Sequence, residues 1–269
     1  NMDLNSINEY AEKLKEEINS FENLDDEIEK KQARYNEAKE VLIKKAYILS
    51  ELRRETIKGL KSKIVSELID LGFKSVSFIP EQRFIESSNG DDGIEIENRK
   101  IKFAEGGIDD IEFLISLNTG ESEKPLRKIA SGGEISRIML ALKSVISSVD
   151  KITTMIFDEI DAGIGGRASL VVGEKLFKIS RDCQVIVITH LAQIACFSDV
   201  HYFIDKFIEN NRTKIKIKKL DSPGKIKEIS RMMSGLKDSD IAVMHAEELI
   251  DKCNSIKSEL TERKIEVEN

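Results

Sequence analysis

The 269 residues are 40% hydrophobic and 34% charged, with three prolines and no tryptophan. That balance allows a packed core over part of the chain beside a long polar helical segment, about two structural units by the usual domain sizes, and speaks against a loop-rich or disulfide-bonded fold. A formal net charge of −7 leaves no chain-wide surplus of cations, so any nucleic-acid contact must come from a local basic patch.

The first elements show a seven-residue rhythm. Ile7, Leu14, Phe21, Ile28, Tyr35, Leu42 and Leu49 form one unbroken row, the d-type seam of a coiled coil. Its companion row is apolar at Leu4, Ala11, Ile18 and Ala46 and polar at Asp25, Gln32 and Lys39, so the seam is sound at its ends and weak in the middle. One long amphipathic helix lying on a globular body is the plainer alternative, but seven heptads are long for that role. The helix is expected to continue through Leu60, Ile64 and Leu68 and to stop at Leu71-Gly72, where glycine can take the left-handed cap.

Alternating apolar residues then predict strands at Val76 and Phe78 before Pro80, at Ile94 and Ile96, at Ile101 and Phe103, and from Ile111 to Leu117, together a small antiparallel β subdomain. Asn89 to Gly93 has the composition of a solvated loop. Beyond Gly120 the rhythm becomes helix, strand, helix, strand: a helix around Ile135 to Ile146, a nearly continuous apolar strand from Ile152 to Phe157, a helix from Ala168 to Ile179, and a second buried strand from Val185 to Thr189. Such alternation implies parallel strands covered by helices, with the chemistry at their carboxyl ends.

Three features there can carry chemistry. The first apolar strand ends in Asp158-Glu159, one carboxylate able to hold the water shell of Mg2+ and one able to orient or deprotonate a water; alone this pattern is common. Ser131-Gly132-Gly133-Glu134 reads as a capping box before the helix, and equally as a glycine turn and helix N-terminus that can approach a phosphate. Thr189-His190 follows the second strand. A histidine there is more often structural than functional, but side-by-side parallel strands would bring it to the same crevice as Asp158 and Glu159. Arg212, Lys214, Lys216 and Lys218 alternate with Thr213, Ile215 and Ile217, which fits an edge strand guarded by lysines better than a DNA-contacting face.

The cysteines, Cys183, Cys196 and Cys253, are odd in number and form no CxxC pair, so neither a disulfide framework nor a zinc site is indicated. No apolar run approaches the roughly 20 residues that span a bilayer, and the N-terminus lacks a basic stretch followed by an apolar one. A soluble cytoplasmic protein without membrane contact is expected.

Ser-Gly-Gly-Glu, then an apolar strand with Asp-Glu, then Asp161, then an apolar strand with His resembles, in order, the signature, Walker B, D-loop and switch-histidine series of ABC ATPases. The stretches Leu126 to Lys143, Ile156 to Gly166, Ile188 to Ala195, Ile229 to Gly235 and His245 to Leu249 are similar to the RecN family of SMC-like ATPases in particular, so the resemblance covers nearly the whole chain.

It implies an α/β fold: the C-terminal lobe of an ABC-type P-loop ATPase head (73–269) with the small antiparallel β subdomain, preceded by one arm of a long coiled coil (1–72). It also implies ATP and Mg2+ as ligands, DNA as a partner in double-strand break repair and recombination, and a bacterial, nucleoid-associated protein. Two heads would sandwich two ATP molecules. Asp158 would position Mg2+, in all expectation through water, and Glu159 would activate the attacking water. Ser131, Gly132, Gly133 and the adjoining Glu134 would reach the γ-phosphate held by the opposing head. His190 would contact the phosphate from its own side, and Asp161 would belong to the loop coupling the two sites.

No G-x-x-x-x-G-K-[ST] occurs in the chain; in the resembled family that phosphate-cradling loop lies on the N-terminal lobe, across the coiled coil. The sequence opens mid-heptad, and the expectation is that the N-terminal half is cut away or supplied separately and that this chain alone is inactive. Another SMC-like chromosome-maintenance ATPase, or a non-enzymatic coiled-coil scaffold, are the alternative readings.

Overall fold

The structure is a computed structural model that describes residues 4–87, 93–96, 98–129, 131–146, 152–209, 212–235 and 239–268. The chain divides into two compact units, both interleaved in sequence: Asn1–Ile57 with Gln82–Ile111, and Lys58–Glu81 with Glu112–Asn269.

Helix α1 (Leu4–Asp70) runs for 67 residues. It ends where the sequence says it must: Gly72 has φ +94°, and its N–H donates to the carbonyl of Ile69, a conformation that costs glycine little. Ile7, Leu14, Ile28, Tyr35, Leu42 and Leu49 are all exposed, so this apolar row lies open to solvent; the side chains of Leu4, Phe21 and Asp25 lie outside the described residues.

Strands β1 (Ser77–Phe84), β2 (Gly93–Ile96), β3 (Arg99–Lys102), β4 (Asp109–Ser116) and β5 (Lys124–Pro125) follow. β2 and β3 form an antiparallel hairpin with Ile94 opposite Ile101; β1, β4 and β5 form a sheet in the order β1-β4-β5. The expected loop from Asn89 lies outside the described residues up to Gly93, which opens β2. β1 does not stop before Pro80 as expected but runs through it to Phe84. It is an edge strand, where a residue without an N–H is tolerated.

The first unit has a small core of Ala46, Ile94, Ile101 and Ile108, flanked by Ile43, Phe84 and Phe103. Beside it the Asp109 side chain is fully buried. It accepts from Ser50 Oγ at 2.6 Å, Gln82 Nε2 at 2.7 Å and Arg53 Nη1 at 2.9 Å. Burial pushes this carboxyl upward, but the hydrogen bonds from Ser50, Gln82 and Arg53 and the Arg53 charge outweigh it, so it is held below the usual carboxylate range.

The second unit carries α2 (Gly132–Ile146), β6 (Thr154–Phe157), α3 (Arg167–Ser180), β7 (Gln184–Val187) and α4 (Ala192–Ala195). β6 and β7 are parallel, with Met155 beside Val185 and Phe157 beside Val187. These four pack into one apolar core with Ile138 and Leu142 of α2, Val172 and Leu176 of α3, and Ile64, Leu68 and Leu71 at the end of α1. Lys175 clamps that helix end: its ammonium lies 2.7 Å from Glu67 and 3.0 Å from Asp70. Burial lowers the affinity of Lys175 for its proton, but the two carboxylates more than offset this and hold it above its ordinary value.

One expectation is corrected here. The sequence pattern reads these as buried strands covered by helices, yet Ile156 is 68% exposed and Ile186 44%. The helices α2 and α3 cover only the face of Met155, Phe157, Val185 and Val187, and the pleat turns the alternate side chains the other way.

The chain closes with the antiparallel hairpin β8 (Tyr202–Glu209) and β9 (Arg212–Lys219), then α5 (Ser222–Ser234) and α6 (Asp240–Glu268). α5 is capped by Asp221, which accepts from the Gly224 N–H, and ends at Gly235 with φ +68°. No helix among the described residues is long and apolar enough to cross a membrane, and Cys183, Cys196 and Cys253 are free thiols.

Candidate active site at the carboxyl ends of the parallel strands

The site grows out of the β6–β7 register. Phe157 is the last paired residue of β6, and its carbonyl accepts from the N–H of Ile188 just past β7. The chain leaving β6 enters Asp158, Glu159 and Asp161, and the chain leaving β7 enters Thr189 and His190. Both sets therefore emerge at one end of the strand pair, as the sequence pattern predicts.

The two loops are joined by a single carboxylate. Asp161 is buried, and its Oδ2 accepts from Thr189 Oγ1 at 2.6 Å and from the His190 backbone N–H at 2.8 Å, with His190 Nδ1 at 2.9 Å. Thr189 Oγ1 in turn accepts from the Leu191 N–H. The His190 side chain is 75% exposed, so its ring is fixed at one edge and open to solvent elsewhere.

Asp158 and Glu159 are both exposed. Asp158 Oδ1 accepts from the Glu159 N–H at 2.9 Å. Glu159 has φ +55°, a left-handed backbone that costs a non-glycine residue roughly 1–3 kcal/mol and gathers at functional sites.

The Ser-Gly-Gly turn lies against this loop. Ser131 holds the N-cap position of α2, its carbonyl accepting from the Ile135 N–H. A side chain at Gly132 would bring its Cβ within 2.6 Å of Glu159 Oε2, and one at Gly133 within 2.6 Å of the Ala162 side chain and 2.8 Å of the Glu159 carbonyl. Gly133 is thus required by close approach to the backbone of the loop after β6, whereas the neighbour of Gly132 is the movable end of the Glu159 side chain. Glu134 sits in the first turn of α2, where a carboxylate suits the helix dipole. Ala130, in the same motif, lies outside the described residues.

Two residues without an assigned role hold the arrangement. Ser136 Oγ donates to the Asp158 carbonyl at 2.8 Å. Arg137 Nη1 donates to the carbonyls of Ala162 at 2.5 Å and Ile160 at 3.3 Å, with its guanidinium 5.1 Å from the centre of the Phe73 ring. Burial lowers the Arg137 pKa, and Glu134 partly opposes this. The signal was present in the sequence: Gly133, Arg137, Leu140 and Ala141 share one helix face, so the arginine stands on the buried stripe and needs acceptors there.

No group of three or more His, Cys, Asp or Glu side chains able to hold a metal occurs among the described residues. The exposed carboxylates of Asp158 and Glu159 at the end of β6 are oxygen donors of the kind Mg2+ takes one or two of, beside its waters and substrate phosphates. The basic face of β9 is diluted: Lys216 stands opposite Asp205 and Arg212 opposite Glu209, and Lys214 pairs with Glu209. With β8 and β9 forming a sheet of two edge strands, the lysines fit edge protection.

No protein-family model matches the chain. The DNA repair protein RecN of Bacillus subtilis (strain 168) is 38% identical over 253 residues, covering 94% of this chain and 44% of that protein. RecN of Streptomyces coelicolor is 36% identical over 208 residues, 77% of this chain and 36% of that protein, and RecN of Treponema pallidum is 48% identical over 144 residues, 54% and 25% respectively. A solved Smc head domain with coiled coil and joint from Pyrococcus yayanosii aligns at 18% identity and a TM-score of 0.39, over 67% of this chain and 30% of that one. A likeness at that level adds nothing to the sequence match. The chain spans less than half the length of the curated relatives it matches. On this match along nearly its whole length, the chain belongs to the RecN family, as the counterpart of the C-terminal half of its members.

Proposed function

We propose that this chain is the half of an ABC-type ATPase head that bears the signature, Walker B, D-loop and switch-histidine elements, working in a RecN-like protein in DNA double-strand break repair and recombination. The residues from 1 to 72 are the coiled-coil arm and those from 73 to 269 the lobe of the head. The observation that carries this reading is the junction at the end of β6 and β7, where Asp161 ties the loop of Asp158 and Glu159 to Thr189 and His190.

In this reading Glu159 orients the attacking water and takes its proton, and Asp158 holds the water shell of Mg2+. The metal supplies charge neutralisation on the phosphates when bound. Ser131, Gly132 and Gly133, with the amides opening α2 and Glu134 behind them, receive the γ-phosphate of ATP bound to a second head. His190 meets the phosphate from its own side.

The phosphate-cradling loop comes from the N-terminal lobe of the same protein, since no such motif occurs in this sequence. The exposed face of Ile156 and Ile186 and the open seam of α1 support a further segment that covers them. A second copy of the complete head, DNA, and a cytoplasmic, nucleoid-associated setting complete the proposal. Replacing Glu159 by Gln in the complete protein tests it. ATP should then trap a long-lived dimer by light scattering, and normal turnover by that variant would remove Glu159 from the role of base.

A further inference from the structure

We infer that Asp161 is the positioning residue for His190, and that it fixes which ring nitrogen carries the proton. The inference rests on the reading of His190 as a phosphate contact, and it adds how that contact is prepared.

The carboxylate is placed for this and for little else. Asp161 is 4% exposed, and its Oδ2 meets the ring Nδ1, the backbone N–H of His190 and the hydroxyl of Thr189 within 2.9 Å. The loop that carries it is held on either side of the residue, because Arg137 binds the carbonyls of Ile160 and Ala162, and Ser136 binds that of Asp158. The histidine is therefore oriented through both its backbone and its ring.

An ionised carboxylate can only accept hydrogen bonds. Nδ1 must then carry a hydrogen whenever the pair is intact, which leaves two states. A neutral ring is the Nδ1–H tautomer, with a lone pair at Nε2. A ring that donates from Nε2 to a phosphate must carry hydrogens on both nitrogens and be the imidazolium, with Asp161 as its counter-ion. The neutral Nε2–H form, the usual preference of a free histidine, is excluded while Asp161 stays in place. Asp161 thereby engages Nδ1 and leaves Nε2 as the ring nitrogen open to a phosphate.

Nitrogen NMR of this chain reads the tautomer directly. The sequence has three histidines, His190, His201 and His245, and a His190→Gln sample assigns the signal. At the alkaline limit of the titration the neutral His190 ring should be the Nδ1–H form, and an Nε2–H ring would overturn the inference. This measurement needs no nucleotide, so it stands apart from the ATPase reading, and it needs no variant at Asp161.

Asp161→Ala sharpens it, since it removes the acceptor that Nδ1 shares with the His190 N–H and the Thr189 hydroxyl. With no acceptor at Nδ1 the neutral ring should revert to the Nε2–H preference of a free histidine, and ATP turnover of the complete protein should fall about 10–100-fold, the range for losing a carboxylate that orients a functional histidine at a metal centre. Unchanged turnover after that switch would overturn the functional part of the inference. Absence of turnover in the unmodified complete protein would instead count against the ATPase reading and leave the tautomer result standing.

Discussion

Each of the two compact units is stabilised by different physics. The unit of Lys58–Glu81 and Glu112–Asn269 has a continuous apolar core reaching from Ile64 and Leu68 to Ile138, Val172 and Leu176, and every candidate site residue belongs to it. The unit of Asn1–Ile57 and Gln82–Ile111 has four buried apolar residues in its core and a buried Asp109 gripped by Ser50, Gln82 and Arg53. An apolar core tolerates pH and gives rigid support to loops placed on it. A buried ionic clamp gives specificity of packing at the cost of sensitivity to either partner.

The sharpest way to break this contrast is in the apolar unit. Ile138→Ala should cost about 2–5 kcal/mol, because Ile138 is fully buried and its cavity cannot fill from solvent; urea unfolding of the chain measures it. A loss below about 1 kcal/mol would mean that the core beneath the site is loosely packed. Gly133→Ala comes next, at about 1–3 kcal/mol, since the new Cβ meets backbone as well as a side chain and something must shift. Hydrogen exchange should place that loss in the loop after β6.

In the other unit Arg53→Ala should cost about 1–3 kcal/mol by leaving Asp109 buried with only neutral donors, and the loss should be confined to the α1 and β2–β3 exchange rates. The clamp also predicts a pH dependence. Asp109 is held below the usual carboxylate value of about 3.9. Its contribution is therefore full above about pH 4 and is lost as the pH falls through the lower folded value. Urea midpoints of this unit's amide resonances should drop on acidification, and Asp109→Asn should flatten that limb. An equal acid limb in both proteins would show that the carboxylate is not the group responsible.

Long periodic elements are legible in the sequence alone. The heptad row, the glycine stop at Gly72, the helix after Ser131 and the parallel pair ending in Asp158-Glu159 and Thr189-His190 all follow from spacing, because helix and strand periods act over many residues. The features that spacing does not reveal are set by tertiary neighbours. β1 runs through Pro80 because it lies at a sheet edge, a fact of sheet order. Ile156 and Ile186 are as apolar as their buried neighbours, and nothing in their own sequence says that one face stays open. Asp161 is assigned to its loop by resemblance, but its grip on His190 depends on two loops meeting from different strands. Arg137 can be found as a charge on an apolar stripe, though not its carbonyl partners.

The central claim is that this chain supplies half of an ATPase head, and Mg-ATP hydrolysis tests it most directly. The chain should be measured alone and after mixing with a separately expressed N-terminal segment bearing the phosphate loop. The account predicts turnover in the mixture only, abolished by Glu159→Gln. No turnover in either sample, with the two segments shown to fold and associate, would contradict it.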